Sequence, residues 1–268
     1  DGTSWNDPFN WSSDVQPGTN DDVVIDSGFN VTHSAAVADT VRSIESHGQL
    51  TISDGTLAVT AESIFAGSLI LSGGTLSTSA HLQIGNLVWT SGTLQGVGSP
   101  TATVTGTVGA LGNIDLRNIT LDLTQATLAA GSNHLTSLRL DDATLLRAET
   151  WTVAGPFLWM GGKLDAGSGA GSLIANGGMT ITEGSVHNFV HNVAVTNAGN
   201  AVWSAGNVTF IGNSSFTNAI GANFDDQADG SFGGEVLACP IFNNEGHFTK
   251  SGADGTTALQ MELHNRGE

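Results

Sequence analysis

The chain has 268 residues, with 25 Asp+Glu against 7 Lys+Arg, a formal net charge of −18, 36 Gly, one Cys and no Tyr. No basic run exists, and a phosphate-binding surface needs clustered Lys and Arg, so nucleic acid is excluded as an expected partner. No stretch of 18 apolar residues occurs, so the sequence predicts no membrane span.

Residues 1–26 read as a capping segment. They hold Trp5 and Trp11, Pro8 and Pro17, and a dense Asp/Asn population, before the buried-strand phrase Val23-Val24-Ile25. A stack of coils must cover its first apolar layer, and Trp5, Phe9 and Trp11 are suitable lids. The chain opens on Asp1 without a charged-then-apolar leader, so any signal peptide is expected to have been removed or to lie outside this chain.

Beyond this segment, apolar residues come in short runs or alternate with Ser and Thr, as in Leu50-Thr51-Ile52, Leu57-Ala58-Val59 and Leu69-Ile70-Leu71. Period-2 alternation rich in Thr and Val predicts strands. The stretch 36–45 places Val37, Val41 and Ile44 at helical spacing, but β-branched Thr40 and Val41 favour two short strands.

One phrase recurs in the first half. Gly55-Thr56-Leu57, Gly74-Thr75-Leu76 and Gly92-Thr93-Leu94 set their glycines 19 and 18 residues apart. A longer form places a Trp three residues before such a Gly, at Trp89, Trp159 and Trp203. These Trp residues read as stacked core residues, with sugar-stacking on the outer surface as the alternative. The phrase is lost from about residue 127 to 157, where Arg139, Asp141, Asp142, Arg147 and Glu149 gather. That cluster reads as a solvated face of ion pairs, or alternatively as the charged groove of a polysaccharide-active enzyme. Further on, His187 and His191 stand four apart. In an extended strand that separates them by about 13 Å, too far for one metal.

The last third repeats itself most plainly. Val195-Thr196-Asn197, Phe216-Thr217-Asn218, Phe242-Asn243-Asn244 and Leu263-His264-Asn265 start 21, 26 and 21 residues apart, each followed by a Gly. A period of 20–30 residues, built from β-prone runs and Gly/Asn turns, indicates a solenoid. Asn at a fixed corner can form an amide ladder along the stack. The expected fold is therefore all-β: a single-stranded parallel β-helix (solenoid) of residues 27–268 behind an N-terminal cap, with about twelve or thirteen coils of ~20 residues. Asp225, Asp226 and Asp229 are the candidate ligands for calcium at a coil corner, with Asn20, Asp21, Asp22 and Asp26 as a second oxygen-rich group. No other cofactor is expected. Cys239, beside Pro240, reads as a small buried apolar residue. Asn-x-Ser/Thr sequons occur at Asn10, Asn30, Asn118, Asn207 and Asn213.

The opening run from Gly2-Thr3-Ser4-Trp5-Asn6 to Trp11, with Pro17-Gly18 to Ile25, resembles the start of β-helical regions in large secreted bacterial surface proteins. The run Phe242-Asn243-Asn244-Glu245-Gly246-His247-Phe248-Thr249-Lys250, ending in Gly255-Thr256-Thr257, resembles their repeating coils. The resemblance implies an adhesin-, haemagglutinin- or autotransporter-passenger-like segment: secreted, on the cell surface, structural or adhesive, with no catalytic residues. The chain ends just after the fourth Asn phrase, so the C-terminal end is expected to be truncated or continued by another subunit, stacking end to end as filaments or on neighbouring repeats. Phe242, Asn244, Phe248, Leu263 and Asn265 are the expected assembly interface. The alternatives are a polysaccharide lyase or hydrolase, and a carbohydrate-binding module using Trp89, Trp159 and Trp203 on glycans.

Overall fold

The computed structural model describes residues 3–131, 133–234, 240–252 and 255–268. Cys239 lies outside the described residues. The chain is an all-β solenoid of about 11 turns, divided into two compact units, Asp1–Ser132 and Asn133–Glu268. The division falls inside the stretch where the Gly-Thr-Leu phrase is lost. Fewer turns form than the sequence spacing predicts, because the later coils are longer than 20 residues.

In the first unit each coil contributes to three parallel ladders. One ladder begins with Asp22–Ile25 on Ser43–Ser46 and passes through the starts of two long strands, Ser63–Thr78 and Leu82–Gly96, to Thr101–Val104 and Thr120–Asp122. A second runs from Asn30–His33 through Gln49–Ile52 and the middles of the long strands to Thr107–Leu111 and Thr127–Leu128. The third runs from Ala38–Val41 through Thr56–Val59 and the ends of the long strands to Asn113–Arg117. The stretch 36–45 is thus two short strands, as its β-branched residues favour. Because Asp22–Ile25 pairs in register with Ser43–Ser46, residues 22–25 belong to the first coil and the cap ends before them.

Parallel register puts like on like. Leu57, Leu76 and Leu94 form one buried column, so the Gly-Thr-Leu phrase is the sequence trace of the third ladder. Its glycines sit at corners where consecutive coils nearly touch. Gly92 has φ +100°, and a Cβ there would collide with the carbonyls of Gly73 and Gly74 in the coil before. Glycine alone satisfies both the left-handed backbone and the close approach.

The cap is held by backbone and side chain together. Pro8–Asn10 makes one 3₁₀ turn, with Asp7 accepting from the Phe9 N–H at 3.1 Å. The Trp5 N–H donates to Thr32 O at 2.9 Å, and the Trp5 ring is fully buried. Beneath it lies His33, in the column continued by Ile52, Leu71 and Trp89. An imidazole in a core column needs partners for both nitrogens. Nδ1 meets Asp54 O at 2.9 Å and Nε2 meets Asp39 Oδ2 at 3.0 Å, and Asn6 Nδ2 donates to that same oxygen at 2.7 Å. Asn6 comes from the cap, so the network ties cap to coil.

The second unit repeats the three-ladder plan. One ladder runs from Leu138 through Phe157, Met179, Ala201 and Phe224 to Phe248. Another is a separate seven-stranded sheet ending in Ser215–Asn218, Ile241–Asn244 and Glu262–Asn265. Successive residues along the first ladder are 19, 22, 22, 23 and 24 apart, so coils lengthen along the unit. The core changes with them, from Leu and Ile to Phe. Phe232 lies 5.1 Å from Phe210 and from Phe216 by ring centroid, and Phe216 meets Phe242 at 5.2 Å edge to face. A wider coil encloses more volume, and a close-packed interior requires larger side chains to fill it.

Candidate functional site

The four Asn phrases come into one register. Val195, Phe216, Phe242 and Leu263 form one column of the seven-stranded sheet, and Asn197, Asn218, Asn244 and Asn265 form the next. Each amide donates Nδ2–H to the Oδ1 of the following one, at 2.9, 2.8 and 2.8 Å. The second proton of each amide goes to a corner carbonyl, Asn223 O from Asn197 and His247 O from Asn218, both at 2.9 Å. The expected amide ladder is present, and it has a direction: donors face the last coil.

That last coil divides the expected assembly residues. Phe242 and Asn244 are buried under it and cannot touch a partner, which corrects their assignment as interface residues; the paired strand Glu262–Asn265 covers both. Phe248, Leu263 and Asn265 do lie on the outer edge. Phe248 stacks nearly parallel on Phe224 (5.6 Å, 9°) with its other side part-open, Leu263 is 48% exposed and Asn265 is exposed. Leu259, paired with Phe232 and half-buried, shares this edge and was not expected from sequence, because it belongs to no repeated phrase.

The three Trp residues proposed as sugar platforms are core residues. Trp89, Trp159 and Trp203 are 0–1% exposed, so none offers a ring face to a glycan. They share a sequence phrase because the Trp points inward just before a corner: Trp89 Nε1–H donates to Gly92 O at 3.2 Å and Trp203 Nε1–H to Ala205 O at 3.1 Å.

Around Asp225, Asp226 and Asp229 the structure places an ammonium among the carboxylates. Lys250 Nζ lies 3.6 Å from the buried Asp226 and 3.5 Å from Asp229, and donates to Ala228 O. Asp225 accepts from Ser251 Oγ at 2.6 Å and Gln227 Nε2 at 2.7 Å, and these bonds hold its carboxyl below the ordinary value against a weaker opposing effect of burial. Among the described residues no group of three His, Cys, Asp or Glu side chains is arranged to hold a metal ion. In the other oxygen-rich group, Asp22 faces Arg42 and accepts from Ser43 Oγ at 2.5 Å, and Asp21 accepts from the Gly18 N–H at 2.8 Å.

Charged residues do meet across coils, in a place the sequence did not single out. Lys163 Nζ lies 2.6 Å from Asp165 Oδ2, and His191 Nδ1, from the next coil, lies 2.8 Å from Asp165 Oδ1. Burial works to raise the Asp165 carboxyl, but hydrogen bonds from Lys163, the Gly167 N–H and His191 together outweigh it and keep it below its ordinary value. His191 Nε2 is met by Asn192 Nδ2 at 3.2 Å, so both ring nitrogens have partners. The cavity beside Asp165, also lined by Arg147 and Glu149, has only about 10 Å³, room for no more than a water. Arg139 and Asp141 pair at 2.6 Å, as do Arg147 and Glu149. Asp142, with φ +49°, accepts from the N–H groups of Ser185 and Val186, while His187 faces Glu183.

No helix among the described residues is long and apolar enough to cross a membrane. No protein-family model, curated protein or solved structure matches this chain.

Proposed function

We propose that the chain is a structural or adhesive β-solenoid segment of an extracellular bacterial surface protein. Its last coil would stack on a further coil, supplied by neighbouring repeats of the parent protein or by a second copy end to end. The observation that carries this reading is the unbroken register of the coils, with an apolar column from Val195 to Leu263 and an amide ladder from Asn197 to Asn265. Three apolar columns, through Phe248, Leu259 and Leu263, run beside that ladder, and a strand edge hydrogen-bonds to whatever parallel strand lies next. The acidic, Lys-poor composition suits a secreted, cell-surface setting. In this reading the role is mechanical: the Lys163–Asp165–His191 group is internally paired and lies beside a cavity with room for no more than a water.

The test is electron microscopy with sedimentation velocity over a concentration series, with and without calcium. End-to-end oligomers or filaments that disappear in Leu263→Lys are the expected result. Single particles at every concentration, with or without calcium, sink self-assembly.

A further inference from the structure

The cap leaves an opening that the lid reading does not account for. Trp5 closes over His33, but Val31, one core position earlier in the same strand, stays half-exposed. Above Val31 lies a cavity of about 480 Å³, within the range of small-molecule sites, roughly 300–1,000 Å³. Phe9, Trp11 and Phe29 line it. Phe9 is 76% and Phe29 62% exposed, a poor use of large rings unless something covers them. Trp11 is fixed in place: its Nε1–H donates to Trp5 O at 2.8 Å, and its ring meets Trp5 nearly edge on, 5.0 Å between centroids.

We infer that this cleft is a binding site for a neutral sugar ring, a hexose or N-acetylhexosamine unit of a glycan. A pyranose has apolar C–H faces that lie on aromatic rings and a rim of hydroxyls that need acceptors and donors. The cleft offers both: pinned and exposed aromatics, with Asp26 and Ser12 in the same wall. The Asp26 carboxylate forms no ion pair or side-chain hydrogen bond among the described residues, and a carboxylate accepts from two neighbouring hydroxyls at once. The same carboxylate, on a chain of net charge −18, repels sialylated or sulfated sugars. A purely apolar ligand would leave Asp26 desolvated and unpaired. The site uses the cap and first coil alone, so it stands or falls separately from the stacking of the last coil.

The test is saturation-transfer NMR and calorimetric titration of the whole chain with glucose, galactose, mannose and N-acetylglucosamine and their β-linked disaccharides at millimolar concentration. Transfer to ring C–H protons of at least one neutral sugar is expected, with no binding of sialyllactose. Phe29→Ala, at an exposed position where the fold tolerates truncation, should weaken binding about tenfold. Asp26→Asn should weaken it less, and Leu263→Lys, at the other site, should leave it unchanged. No transfer to any of these sugars overturns the inference, as does binding that Phe29→Ala leaves intact. Binding of the apolar dye ANS without any sugar also overturns it, and identifies the cleft as an apolar docking surface.

Discussion

Asn218 is buried and uses its whole amide. Nδ2 donates to Asn244 Oδ1 at 2.8 Å and to His247 O at 2.9 Å, while Oδ1 accepts from Asn197 at 2.9 Å. Replacing it with Leu strands the amides above and below and a corner carbonyl, each without water to replace the lost bond. Asn218→Leu is expected to lower stability by about 2–4 kcal/mol in urea unfolding, through loss of a buried polar network. Asn265→Leu, at the exposed end of the same ladder, should cost well under half as much. Equal losses would mean that the ladder is not cooperative. His33 follows the same logic: its column is otherwise filled by Ile52, Leu71 and Trp89, and only Asp39 and Asp54 O make an imidazole tolerable there.

At the scale of the element, what repeats is a strand plus its corner. Thr56–Val59 and the ends of the two long strands stack because each follows a glycine corner, a turn before Thr56 and a register shift within the long strands, where coils meet backbone to backbone. Gly92→Ala puts a Cβ into the carbonyls of Gly73 and Gly74 at φ +100°. The expected loss is about 2–3 kcal/mol, combining the left-handed penalty with steric displacement. Gly98→Ala is the control, since that glycine has φ +80° but open space around it, and should cost about 1 kcal/mol. Thermal unfolding of both variants separates backbone strain from coil-to-coil crowding. Indistinguishable melting of the two would show that crowding contributes nothing.

For the whole molecule, acid is the relevant stress. Asp22, Asp165 and Asp225 all have carboxyls held below their ordinary value of 3.8. A carboxyl lowered in the folded state favours folding above its unfolded value and loses that contribution as pH falls below it. Stability should therefore be retained down to about pH 4 and fall below it. Relief of repulsion from the net charge of −18 acts in the opposite direction. Asp165→Asn should flatten the acid limb when the urea midpoint is followed against pH, because Lys163, Gly167 and His191 then have no carboxylate to bind. An acid limb as steep in the variant as in the parent chain would remove Asp165 from the account.

The sequence by itself determined the class of fold, the strand positions and the coil register. Stacked coils put equivalent residues in contact with one another, so Gly-Thr-Leu and apolar-x-Asn phrases recur wherever a ladder passes, and the amide ladder could be read from the spacing of Asn197, Asn218, Asn244 and Asn265. Sequence could not determine which residues of one repeat a neighbouring coil covers, nor which outward side chains of adjacent coils meet. Trp89, Trp159 and Trp203 share a phrase and point inward, which leaves the core reading of that phrase and removes the sugar-stacking alternative. Phe242 and Phe248 share one repeat yet differ in exposure, because one has a coil above it and the other does not. Lys250 among Asp226 and Asp229, and His191 on Asp165, join residues from neighbouring turns. Contacts of that kind depend on the length of each coil, which varies from 19 to 24 residues in the second unit, and a change of one residue at a corner alters which outward side chain meets which. The cleft beneath the cap is of the same origin. Trp11, Phe29 and Asp26 have no common spacing, and only the fold of the cap over Val31 brings them together.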